Sequence, residues 1–233
     1  MPLRPGGRTE TLLSTLAIHG HEGVERDDLV EAVWPDSERA LGVQSLNTLV
    51  YSLRRMLGDS LRQGPPVVHG NGRYRLNTEG GVSVDVVDFD HEIDRGDRMM
   101  RAGEIEAAME LYANAIVIYR GDLTVGRHVG EVLERERLRA RYLSLWARLG
   151  DHHYASGQYE EALVNALSLL RNDPCREDAH RMVMRCYVRL GQRAQALRQY
   201  RACVHALDDE FGARPETETS VLYELVRLSP DDV

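Results

Sequence analysis

The chain has 233 residues, of which 42% are hydrophobic and 28% charged, and its formal net charge is −8. That composition excludes a disordered chain and allows one large or two small globular domains. Every basic residue is arginine. This excludes a P-loop lysine, a Schiff-base lysine and a lysine general base, because a guanidinium cannot replace an amine in those roles. No apolar run approaches the roughly 18 residues a membrane helix needs, so no membrane partner is expected. The segment from Met1 to Gly7 lacks the apolar core of a secretion signal. Cys175, Cys186 and Cys203 are odd in number and have no CxxC spacing. They read as reduced, buried thiols of a cytoplasmic protein rather than disulfides or a zinc site.

In chain order, the first third predicts three short helices and a hairpin. Thr9 suits an N-cap, and Leu12, Leu13, Leu16 and Ala17 recur at helical spacing up to Gly20. A second helix follows Val24, carries Leu29, Val30, Val33 and Trp34 on one face, and ends at Pro35. A third runs from about Leu41 to Leu57 and stops at Gly58. Two β-prone runs, Val67–Gly70 and Arg73–Leu76, flank Asn71-Gly72, which is a hairpin signal. Helix, helix, helix, hairpin is the order of a winged helix-turn-helix. The stretch from Val82 to Asp90 alternates and then turns acidic, and predicts a strand or linker. A metal site at Asp85, Asp88 and Asp90 lacks the glycine and distal Glu of a calcium loop.

From Arg95 the pattern is helical and repetitive. Gly157-Gln-Tyr-Glu-Glu-Ala162-Leu163 recurs 34 residues later as Gly191-Gln-Arg-Ala-Gln-Ala196-Leu197, and Gly103 to Met109 is an earlier copy. The period is that of a tetratricopeptide repeat. The alanines let paired helices approach, the glycines turn the chain, and Tyr154, Tyr159, Tyr187 and Tyr200 supply packing bulk. The expected fold is therefore mainly α. Residues 1–80 form a winged helix-turn-helix with a short β-hairpin wing, 81–94 a linker or strand, and 95–233 an all-α tetratricopeptide-like domain.

Charge is distributed unevenly along this plan. Between Glu10 and Glu38 there are eight acids against Arg26 alone; between Arg39 and Asn77 there are six arginines against Asp59 alone. A basic segment in an acidic protein marks either a face for an anion or a set of arginines paired with the acidic segment. A wheel of the third helix separates the two sides. Leu46, Leu49, Val50, Leu53, Met56 and Leu57 lie on one side. Gln44, Asn47, Thr48, Tyr51 and Arg55 lie on the other, flanked by Ser52 and Arg54. No carboxylate occurs from Arg39 to Gly58, although an ordinary solvated face would carry some. Amides, hydroxyls and guanidinium groups match base edges and phosphates in a major groove. Gln44, Asn47, Thr48 and Tyr51 are assigned to bases; Arg54, Arg55 and, on the wing, Arg73 to phosphates.

Several blocks carry a family resemblance: Leu29–Asp36, Ser45–Leu57, Gly72–Leu76, Val84-Asp85 with Phe89, Leu111-Tyr112, Tyr119–Leu123, Asp173–Arg181, Arg193–Tyr200, and Gly212 through Pro215–Thr219. The chain resembles the bacterial transcriptional activator domain proteins, including the Streptomyces antibiotic regulatory proteins. The resemblance implies an OmpR-like winged helix followed by a repeat-containing activator domain. It implies double-stranded promoter DNA and RNA polymerase as partners, and neither enzymatic activity nor a cofactor or metal. An OmpR-like fold opens with a small N-terminal sheet, whereas only about eight residues precede the first helix here; either the sheet is lost or the chain is trimmed or otherwise atypical, and the wing is then expected to lack its usual strand partners. The leading expectation is a DNA-binding transcriptional regulator, an activator acting as a homodimer on repeated half-sites. The alternative is an interaction adaptor whose truncated winged helix no longer binds DNA and whose repeat groove holds a partner protein or effector. His152, His153 and His180 invite an acid/base or metal reading, but no nucleophile, base and orienting group assemble around them in the sequence.

Overall fold

The computed structural model describes residues 7–20, 22–35, 39–58, 61, 63–123 and 129–233, the side chains of 39–41, 43 and 129 excepted. They fall into two compact units: residues 1–102 with 117–139, and residues 103–116 with 140–233.

The first unit opens with α1 (Arg8–Ile18), β1 (Val24–Glu25), α2 (Arg26–Val33) and α3 (Arg39–Leu57). The hairpin β2 (Val67–Gly70) and β3 (Arg73–Leu76) follows. The cap of α1 is Gly7, so Thr9 lies inside the helix and not at its start. α2 ends at Val33, two residues ahead of Pro35, and the chain leaves helical geometry at Trp34. The helices bury Leu12, Leu16, Leu29, Leu46 and Leu53 completely. Gly42 sets how closely α3 lies on α2: a Cβ there would meet Val30 Cγ1 at 2.4 Å. Asn71 and Gly72 take φ of +53° and +78°, the two positive values of a two-residue turn that twists with its strands. In register, Val67 faces Leu76 and Gly70 faces Arg73.

The wing has a strand partner that comes from between α1 and α2. β1 pairs antiparallel with β3, Val24 opposite Tyr74 and Glu25 opposite Arg73, giving the sheet order β1-β3-β2. The inward residues of the hairpin, Val67, Tyr74 and Leu76, join the core of the three helices. A two-residue strand between α1 and α2 is too short to leave a periodic signal in the sequence.

Residues 81–94 do not form a strand: α4 (Asp85–Ala102) begins inside them and buries Phe89, Ile93 and Gly96. The alternation of Val82, Val84 and Val86 misled, because the buried positions 89, 93 and 96 follow helical spacing further on. The three aspartates weighed for a metal are engaged elsewhere. Asp85 accepts from the Val86 N–H, Asp88 from the Ser83 hydroxyl, and Asp90 from both Arg137 Nη groups at 3.1 and 2.6 Å. Arg137 also holds Glu134, and the two carboxylates raise its pKa further.

The second unit is helical. α5 (Ile105–Ile118) and α6 (Val129–Ala155) each contribute a part to it, and α7 (Tyr159–Asn172), α8 (Glu177–Arg189), α9 (Arg193–Phe211) and α10 (Thr217–Leu228) lie wholly within it. Gly157 and Gly191, one period apart, have φ of +75° and +72°, so the sequence repeat is a repeat of backbone geometry. Ala108, Ala162 and Ala196 are each fully buried, as close helix pairing requires. Tyr200 stacks on Tyr223 of α10 with ring centroids 4.1 Å apart. Cys186 and Cys203 are buried free thiols, pushed up to about 11 and about 12 by burial; Cys175 is partly exposed.

Candidate nucleic-acid interface

The candidate face is built by α3. Its buried stripe, Leu46, Val50 and Leu53, turns the opposite side outward. Gln44, Asn47, Thr48, Ser52 and Arg55 are exposed, and Tyr51 is 66% exposed. Thr48 donates to the Gln44 carbonyl and Ser52 to the Thr48 carbonyl, so both hydroxyls rest on their own helix. Met56 departs from the wheel reading: it is 41% exposed, because the helix nears its end and the core has narrowed to Leu53.

The three arginines assigned to phosphate are not equivalent. Arg55 projects from the exposed side. Arg54 is half-buried, and its Nε–H donates to the Val67 carbonyl at 2.9 Å. It ties α3 to the first wing strand. Arg73 is held more fully. Its Nη2 donates to Glu25 Oε1 at 2.9 Å, and its Nη1 to the carbonyls of Gly23 at 3.2 Å and Glu22 at 3.4 Å. Of the two sequence readings of the basic segment, pairing with the acidic segment thus holds for Arg73, whereas Arg55 stays outward. Arg39 and Arg62 lie outside the described side chains.

Two contributors were missed in the sequence. Arg75 alternates with buried Tyr74 and Leu76 and so lies on the same outward strand face as Arg73; the period-two pattern of the strand carried that signal. Arg26 donates from α2 to the Tyr74 hydroxyl at 3.2 Å, on the inward side. That contact joins residues 48 positions apart, and local pattern does not reveal it.

His180 and His153 are tied to neighbouring helices by hydrogen bonds. His180, only 4% exposed, has Nε2 2.8 Å from the Pro174 carbonyl and Nδ1 2.7 Å from Gln199 Nε2. A carbonyl only accepts, so Nε2 carries the hydrogen and Nδ1 accepts from the amide. Burial lowers the pKa of His180, favouring the neutral ring. His153 meets the Asn165 amide at 2.7 Å and is likewise lowered by burial. Among the described residues no helix is long and apolar enough to cross a membrane.

Three helices and a wing that present a carboxylate-free helix face, followed by helical repeats, define a winged-helix protein with a tetratricopeptide-like domain. Residues 84–227 match the model of the bacterial transcriptional activator domain, and the chain belongs to that family. It is 24% identical to the regulatory protein DnrI of Streptomyces peucetius, over 94% of this chain and 84% of that protein. It is 25% identical to the transcriptional regulator RedD of Streptomyces coelicolor, over 90% of this chain and 61% of that protein. Among solved structures, Mycobacterium tuberculosis EmbR, determined with a low-affinity phosphopeptide, superposes with a TM-score of 0.73 at 21% identity, over 97% of this chain and 61% of that one. The chain thus spans most of DnrI but under two thirds of RedD and EmbR. Its place is among transcriptional regulators.

Proposed function

We propose that the protein regulates transcription by binding duplex DNA through the exposed face of α3 and the outward side of the wing. The observation that carries this reading is the α3 face itself. Gln44, Asn47, Thr48 and Tyr51 stand exposed beside Arg55, with no carboxylate on the helix. In the major groove the first four read base edges, and Arg55 takes a phosphate. The wing adds Arg75, and Arg73 once it is released. Arg54 acts as a brace that fixes the wing against α3. The acidic repeat unit contacts RNA polymerase or another partner protein, its groove is open to an effector, and two copies act on repeated half-sites in the cytoplasm.

The test is binding of the purified chain to its own upstream region and to random duplexes at low and moderate salt, followed by sequencing of selected DNA. Salt-sensitive binding with an enriched motif is the expected result. Absence of binding to any duplex at low salt overturns the reading and leaves the repeat unit as an interaction adaptor.

A further inference from the structure

Glu25 is a carboxylate set against the one arginine of the wing that flanks its turn. It opens the pairing with β3 directly opposite Arg73. It belongs to the acidic segment, and Arg73 to the basic one. The guanidinium spends two nitrogens on this contact, Nη2 on the carboxylate and Nη1 on backbone carbonyls of Glu22 and Gly23. A carboxylate with flanking carbonyls offers the same oxygen acceptors that a phosphate diester offers. Both side chains remain solvent-accessible, at 46% for Arg73 and 57% for Glu25. The contact is therefore open to competition. Surface ion pairs of this kind are weak, so a phosphate can replace the carboxylate at small cost.

We propose that Glu25 is an affinity-limiting latch: it occupies Arg73 in the free protein and must be displaced before the wing takes its full set of phosphates. This rests on the DNA-binding reading above. Arg75, two residues along the same face, is the wing's unlatched cation, so the wing engages in two steps, Arg75 before Arg73. The latch holds the wing's contribution down without adding positive charge elsewhere. It thereby sharpens the distinction between a site where the wing lies along the backbone and one where it does not.

The experiment measures duplex affinity against salt for the full chain, for Glu25→Gln, for Arg73→Ala and for the double variant. All substitutions are exposed, and a circular dichroism melt checks each fold. Removing the latch is expected to tighten binding about two- to fivefold, the worth of one exposed ion pair. It is expected to leave the salt slope unchanged, because Arg73, once displaced, takes the same phosphate in both complexes. In the Arg73→Ala background Glu25→Gln is expected to change nothing. An equal gain in both backgrounds overturns the latch, because it identifies a general relief of charge repulsion. Wild-type binding with no gain from Glu25→Gln overturns the latch alone. Failure of every variant to bind any duplex overturns the DNA-binding reading, and the latch with it.

Discussion

The two units spend their polar residues in opposite ways. In the repeat unit they lock helices together. Arg193 donates to the carbonyls of Val226 and Arg227, Arg181 to Thr219 and Glu216, and His180 bridges Pro174 and Gln199. In the winged helix the amides and hydroxyls of one helix face are turned to solvent, while Arg54, Arg73 and Arg26 brace the wing. The difference teaches where binding energy is held in reserve. A side chain already satisfied within the fold contributes stability, and one left exposed on a rigid helix is available to a ligand.

The comparison breaks most sharply under core truncation. Leu53 of α3 is fully buried, and Leu169 of α7 is 2% exposed. Leu53→Ala and Leu169→Ala are each expected to cost about 2–5 kcal/mol, from lost transfer energy and the cavity left behind. Calorimetry of the full chain is expected to show each substitution lowering the melting of its own unit first. A single shared transition that both variants lower equally would show that the units are one cooperative body.

How far the sequence reached follows the same division. The repeat unit was legible because one 34-residue period set Gly157 and Gly191, Ala162 and Ala196 into equivalent positions. The buried stripe of α3 was legible because Leu46, Val50 and Leu53 follow helical spacing. The Asn71-Gly72 turn was legible because only a few residues accept its backbone. The roles of Arg54 and Arg73 were not, because their partners, Val67 and Glu25, lie 13 and 48 residues away. No local pattern distinguishes an arginine that will bind phosphate from one that will bind a neighbouring carbonyl. β1 escaped for the same reason: it exists only because β3 pairs with it.

A smaller effect separates the units by pH. Burial holds the folded pKa of His180 below its ordinary value, and His153 shifts the same way. The unfolded chain therefore binds more protons once the pH falls below about 6.5, the ordinary histidine value. The associated stability is fully present above that pH and is lost on acidification toward the folded pKa. Melts at pH 7.5 and 5.5 are expected to show the repeat unit weakening at the lower pH. His180→Gln is expected to shrink that difference, and an unchanged difference would show that His180 is not the group held neutral.

The smallest and most discriminating effect lies within α3, between adjacent arginines. Arg54 holds the Val67 carbonyl and is half-buried, whereas Arg55 is exposed. Arg54→Ala removes a hydrogen bond worth about 1 kcal/mol. It is expected to lower the melting of the winged helix and to weaken DNA only through a looser wing. Arg55→Ala leaves stability within about 0.5 kcal/mol. It flattens the salt slope by about 0.9, because one phosphate contact is gone. The pair of variants therefore splits stability from binding at neighbouring positions of one helix. If Arg54→Ala changes the salt slope as much as Arg55→Ala and leaves the melt untouched, Arg54 leaves Val67 for the phosphate. The brace would then be a resting position like that of Arg73, and the reserve of the wing larger by one cation.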